Sequence, residues 1–173
     1  MAPKTTNLTI MFADISGSTS LYELLGDAAA RHRIAVCLEQ LTGVVIAHRG
    51  RVVKTNGDDM LCVFDDTISA TLAACAMQES LIQGSEATEP VLVALSVRIG
   101  MHVGPAIQEK GDVFGDVVNL ASRMVGQAKT GQIITTRLFV EQLPPMLQSA
   151  TRLIDHTEVR GKRDAIDLFE VLW

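Results

Sequence analysis

The sequence predicts an α+β domain: a ferredoxin-like βαββαβ core with a C-terminal αβ extension, its antiparallel sheet packed with helices. Two observations carry this. Short β-rich, apolar runs alternate with segments whose apolar residues recur every three or four positions, in the order β-α-β-β-α-β. The paired strands in the middle flank Asn56-Gly57-Asp58-Asp59, a tight-hairpin signature.

Asn7–Ile15 reads as a first strand that runs into a Ser-Gly-Ser-Thr turn, with residues 1–7 expected as a flexible start. From Ser20 to about His48 the pattern is helical: Leu21, Leu24 and Leu25 come first, then Ile34, Cys37, Leu38, Leu41, Val44 and Val45. Gly50 is expected to stop that helix. Arg51–Thr55 and Met60–Phe64 are the hairpin strands, and Thr67–Ile82 is an Ala-rich helix followed by a polar loop, Gln83–Pro90. Val91–Val103 reads as a long strand, Gly104-Pro105 as a kink, and Ala106–Gln108 as its continuation. A loop at Gly111–Gly115, a helix at Val117–Ala128, a strand at Gln132–Thr135 and a short helix at Leu138–Leu143 follow, the last ended by Pro144-Pro145. Leu153–Val159 and Ile166–Leu172 close the chain as a hairpin around Arg160–Asp164.

Composition bounds what such a domain can do. One hundred and seventy-three residues make a single domain, residues 1–173, with 47% hydrophobic and 20% charged residues, which excludes wholesale disorder. The mean hydropathy of +0.25 is high. Yet the longest apolar stretches, Val91–Val97 and Thr67–Gln78, fall far short of the roughly 18 residues a spanning helix needs. No membrane segment is expected, and a cytoplasmic location is. Fifteen basic against twenty acidic residues, without a Lys/Arg run, make a poor binder of nucleic-acid backbones. Cys37, Cys62 and Cys75 have no CxxC spacing and read as core residues in a reducing compartment. His32, His48, His102 and His156 show no metal-ligand pairing.

The βαββαβ order gives two carboxylates a geometry. Its first and third strands are antiparallel neighbours, so Asp14, at the end of the first, lies beside Asp58, in the turn before the third. Two such charges repel by roughly 4 kcal/mol at about 4 Å and an effective dielectric of about 20. A hard divalent cation with oxygen ligands offsets that, and a backbone carbonyl from Ile15 or Ser16 would complete a set suited to Mg²⁺. The plainer alternative is that Asp14 caps a helix and Asp58 shapes a turn. Asn119 and Arg123, four apart, share one helix face and can hold a sugar oxygen and a phosphate, or can be an ordinary polar face. Lys54 and Asp112 can read a purine edge, one donating and one accepting, or can each be a solvated charge.

Four strings, FADISGST (12–19), KTNGDDM (54–60), RIGMHVG (98–104) and DVFGDVVNLASRM (112–124), resemble the catalytic domain of class III nucleotide cyclases, the adenylate and guanylate cyclase family. The likeness runs from about Thr9 to Trp173. It implies two metal-binding aspartates at Asp14 and Asp58, with the carbonyl of Ile15, holding two Mg²⁺ or Mn²⁺ per site. It implies a purine-selecting pair at Lys54 and Asp112 of the adenylate type, hence ATP as substrate and cyclic AMP and pyrophosphate as products. Asn119 and Arg123 would orient ribose and steady the transition state, and Lys162 would bind phosphate. The family's antiparallel head-to-tail pairing implies a homodimer in which each site takes its Asp pair from one subunit and the Lys, Asp, Asn and Arg from the other. Asn56 and Asp59 depart from the family pattern. No segment matches a long dimerisation arm between Met124 and Leu153, and no regulatory domain is recognisable in these residues, which leaves control to a further domain or a partner.

Three rivals remain at this point. A diguanylate cyclase is suggested by NGDDM, but the VNLASRM helix and KTNG strand are foreign to it. A catalytically silent, nucleotide-sensing dimerisation domain would have lost Asp14, Asp58, Asn119 or Arg123, and all four are present. A cyclase acting on GTP or a pyrimidine triphosphate depends on pocket shape that two residues do not settle.

Overall fold

The computed structural model describes residues 2–86, 95–158 and 165–173. Its elements run β1 (Lys4–Ser16), α1 (Ser18–Leu25), α2 (Asp27–Ala47), β2 (Arg51–Asn56), β3 (Asp59–Phe64), α3 (Thr67–Glu86), β4 (Ser96–Glu109), β5 (Asp112–Phe114), α4 (Asp116–Gln127), β6 (Ile133–Thr136), α5 (Arg137–Glu141), α6 (Pro145–Gln148), β7 (Thr151–Glu158) and β8 (Ala165–Val171). They build one sheet in the order β2-β3-β1-β4-β6-β8-β7, with β5 also on β4. The first four strands have the order of a split βαβ unit, as expected. All pairings are antiparallel except β4 with β6.

Alternation along the strands sorts side chains to two faces. Met11, Ala13 and Ile15 of β1, Met60, Cys62 and Phe64 of β3, and Val97, Ile99 and Met101 of β4 face α2 and α3. Those helices answer with Ile34, Cys37, Leu41 and Val45, and with Ala70, Ala73, Ala74 and Met77. On the opposite face Leu8, Ile10, Leu61, Val63 and Ala106 pack against Val117 and Ala121 of α4. The small residues of α3 let it lie close to the sheet.

Several elements differ from the sequence reading. β1 begins at Lys4 rather than Asn7, because Lys4 to Asn7 pair with Gln108 to Pro105. The long first helix is two, broken at Gly26 (φ 78°, ψ 169°), a backbone conformation that no helix contains. Gly50 does not stop α2 through a left-handed turn. Arg49 takes that conformation (φ 63°), and Gly50 instead makes room for Phe64, whose ring would lie 2.4 Å from a Cβ there. Residues 83–86, expected in the polar loop, extend α3; of the expected strand Val91–Val103, positions 91–94 lie outside the described residues. Gly104-Pro105 is no kink, since β4 stays in register with β1 through both residues. The loop before α4 contains β5, closed by Lys110 and Gly111, both with positive φ. Pro144-Pro145 ends α5 and also opens α6, with Pro145 in its first turn.

Candidate active site

The end of the sheet where β1 stops collects the carboxylates. Asp14 pairs across with Asp59 on β3 and Arg98 on β4. Asp58 sits in the two-residue turn Gly57-Asp58, where positive φ at Gly57 (64°) lets the chain reverse between paired Asn56 and Asp59. The N–H of Ile15 donates to the Asp58 carbonyl at 2.9 Å, which ties the turn to the end of β1. Asp14 and Asp58 are thus neighbours, as the βαββαβ topology requires.

Their charges act on a third acid. The Asp59 carboxyl is pushed up by burial first, then by the charges of Asp14 and Asp58. The anionic field is only partly offset: Arg98 donates to Asp14 Oδ2 from Nε at 2.7 Å and also from Nη2, and Ser18 Oγ donates to Asp58 Oδ2 at 2.8 Å. Among the described residues no group of three or more His, Cys, Asp or Glu stands ready as a metal cluster. Two neighbouring aspartate carboxylates are oxygen donors of the kind a hard cation takes. A cavity of about 470 Å³ reaches this turn from the helical side, between Tyr22, Arg31, Ile34, Ala35 and Leu38 on one wall and Gly57 and Asp58 on the other.

Lys54 on β2 and Asp112 on β5 meet: Nζ lies 2.8 Å from Oδ2. The Asp112 carboxyl is held below its usual range by the Lys54 hydrogen bond first and the N–H of Val113 second. Both side chains reach solvent, so the pair is available to a ligand.

α4 carries Asn119 and Arg123. Its buried stripe, Val117, Leu120, Ala121 and Met124, lies on β1 and β4. The approach is so close that a Cβ on Gly100 would stand 2.0 Å from the Val125 nitrogen. Val117 lies over Gly104 and Met124 over Gly100, so the helix runs antiparallel to β4, its C-terminal end toward the Asp14 edge. Asn119 and Arg123 fall off the buried stripe and are exposed. No hydrogen bond or ion pair joins either to Asp14 or Asp58 within the chain. Lys162 lies outside the described residues.

Arg98 and Ser18 were not among the residues singled out from sequence. A signal for Arg98 existed: it is the one charge in SVRIGMHV, a strand otherwise apolar or neutral, and such a charge asks for a partner. Ser18 offered none, since its role depends on where the Asp58 turn folds back. Among the described residues, no helix is long and apolar enough to cross a membrane.

Comparison with known proteins agrees with this architecture. The model of the adenylate and guanylate cyclase catalytic domain matches residues 1–171. An adenylate cyclase of Anabaena cylindrica is 31% identical over 188 residues, covering 98% of this chain and 38% of that protein. An adenylate cyclase of Streptomyces coelicolor is 32% identical over 136 residues, covering 79% of this chain and 34% of that protein. The chain therefore spans little more than a third of the length of these relatives. The crystal structure of an adenylate/guanylate cyclase/hydrolase from Silicibacter pomeroyi superposes with a TM-score of 0.85 at 24% identity, covering 99% of both chains.

Proposed function

The chain belongs to the adenylate and guanylate cyclase catalytic-domain family, and from that premise we propose that it converts ATP to 3′,5′-cyclic AMP and pyrophosphate at sites shared across a head-to-tail homodimer. One observation supports the shared site: Asn119 and Arg123 face solvent from α4, and neither is bonded to Asp14 or Asp58 within one chain. A site that needs all four closes when a second copy brings its α4 to the first copy's acids. Two-fold symmetry then makes two equivalent sites, because whatever one protomer offers the other also offers.

The roles are those the family resemblance implies, and each suits the chemistry of its group. Asp112 accepts from the exocyclic amine of adenine while Lys54 donates to the neighbouring ring nitrogen, which their 2.8 Å spacing allows. Asn119 holds the ribose so that its 3′-hydroxyl faces the α-phosphorus. Arg123 presents two N–H groups to the α-phosphoryl oxygens, where charge grows as the new P–O bond forms and the bond to pyrophosphate breaks. The resemblance assigns the triphosphate to Lys162. Asp14 and Asp58, with the Ile15 carbonyl, would hold two Mg²⁺ or Mn²⁺, whose chemistry when bound is to ease loss of the hydroxyl proton and offset charge on the leaving group. No His or Glu is placed as a general base among these residues.

Relatives named adenylate cyclase support the choice of ATP. The test is to incubate the purified protein with Mg²⁺ or Mn²⁺ and each of the four ribonucleoside triphosphates and identify products by mass. Cyclic AMP as the main product is expected. Cyclic GMP or a cyclic pyrimidine nucleotide as the main product overturns the Lys54/Asp112 assignment, and no product from any of the four favours a silent, nucleotide-sensing domain.

A further inference from the structure

Among the described residues, each of the two aspartates at the sheet edge is gripped at one oxygen only. Asp14 Oδ2 receives both Nε and Nη2 of Arg98, and Asp58 Oδ2 receives the Ser18 hydroxyl. No hydrogen bond reaches Oδ1 of either residue among the described residues. The two donors are as fixed as the acids they hold. Arg98 is the cross-strand partner of Asp14 on β4. Ser18 opens α1 three residues after Ile15, whose N–H is bonded to the Asp58 carbonyl. The Asp58 turn is therefore held to the β1–α1 junction twice, by main chain and by side chain.

A carboxylate bonded through one oxygen cannot rotate freely, so its other oxygen points in one direction. Contacts of this kind orient metal-ligating groups from outside the coordination sphere. We propose that Ser18 and Arg98 are the positioning residues of the cation site, Ser18 aiming Oδ1 of Asp58 and Arg98 aiming Oδ1 of Asp14 at a shared divalent cation. This rests on the assignment of Asp14 and Asp58 as cation ligands made above.

The two residues leave different signatures because one is charged. Ser18 is neutral, so its removal acts only through the aim of Asp58. Arg98 sets a positive charge beside a cation site, which by itself repels a cation. If Arg98 were merely a neighbouring charge, or a competitor for Asp14, its removal would tighten cation binding. If it aims the carboxylate, removal of its donors loosens binding even though a repelling charge has gone. A neutral donor at the same position restores the grip without the charge.

The test is a Mn²⁺ titration of the nucleotide-free full chain, followed by the electron paramagnetic resonance of free Mn²⁺. Ser18→Ala and Arg98→Met are each expected to weaken binding by about tenfold or more. Ser18→Thr and Arg98→Gln, which keep a donor, should bind distinctly tighter than those two, and circular dichroism melts of all four confirm that the fold is retained. Wild-type or tighter binding by Ser18→Ala and Arg98→Met, while Asp58→Asn loses binding, would overturn the proposal and leave the ligand assignment standing. Unchanged binding in both Asp14→Asn and Asp58→Asn would overturn the ligand assignment, and the positioning roles with it.

Discussion

Lys54 Nζ and Asp112 Oδ2 stand 2.8 Å apart across 58 positions of sequence, one on the sheet's edge strand and one on the short strand before α4. Neither residue is buried enough to need the other for stability. Their meeting sets a donor and an acceptor side by side through two hairpins, the pair proposed above to read the base. Leaving one buried base edge unpaired costs about 1–3 kcal/mol. Lys54→Ala and Asp112→Ala are therefore each expected to lower kcat/KM for ATP by about 5- to 150-fold while changing that for the other triphosphates less. Competition assays with paired nucleotides measure this; an equal fall for all four would remove the pair from base selection.

The same contact makes a prediction about pH. Asp112 has its pKa lowered from 3.8 by the Lys54 hydrogen bond and the Val113 N–H. A depressed acid contributes its interaction above its unfolded value and loses it only as pH falls through the folded one. Base preference should accordingly stay flat between about pH 5 and pH 8, well above the ordinary carboxylate range. A preference for ATP that collapses between about pH 5 and pH 6 would show that another group governs it.

Gly100 sets the height of α4 over the sheet. A methyl group there meets main chain, with Val125 N at 2.0 Å and the Met124 carbonyl carbon at 2.6 Å, and main chain cannot rotate out of the way as a side chain can. Gly100→Ala should cost about 3 kcal/mol or more, at the upper end for overpacking. It should also shift Asn119 and Arg123 with the helix, so that activity falls further than the folded fraction does. Thermal melts alongside kcat at a temperature where the variant is folded separate the two effects.

Two of the three thiols, those of Cys37 and Cys62, are predicted to be inert in the folded protein. Burial pushes Cys62 up to about 12, and Cys37, where Arg33 opposes a larger burial effect, up to about 11. Both groups stay protonated in the native state at pH 8, so a thiol reagent should modify them only after denaturation. The linkage sign is that of an acid held protonated: this contribution is present below the unfolded value of about 9 and is lost as pH rises toward 11 to 12. Rapid labelling of Cys37 or Cys62 at pH 8 by the native protein would contradict the packing of β3 and α2.

How much of this was legible in the sequence depends on what each residue answers to. The strand order and the meeting of Asp14 with Asp58 follow from element order, because a βαββαβ chain has few ways to pair its strands. Boundaries were less legible. Gly26 was hidden inside an apolar pattern long enough to read as one helix, and Pro105 suggested a kink that pairing with Asn7 overrides. Asp112 could be nominated from sequence, yet its strand could not, since three residues of β5 exist only because β4 offers an edge. Ser18 was illegible for the same reason, because its partner is brought by a turn that lies 40 positions away.

The head-to-tail sharing of the site is tested most directly by mixing two broken copies. Asp14→Ala and Asn119→Ala are each expected to be nearly inactive as homodimers. After subunit exchange at equal amounts, half the dimers are mixed and each of those rebuilds one intact site of two, so about a quarter of wild-type activity should return. No recovery, in a mixture shown by mass or size to contain the mixed dimer, would mean that Asp14 and Asn119 do not serve one site from two subunits.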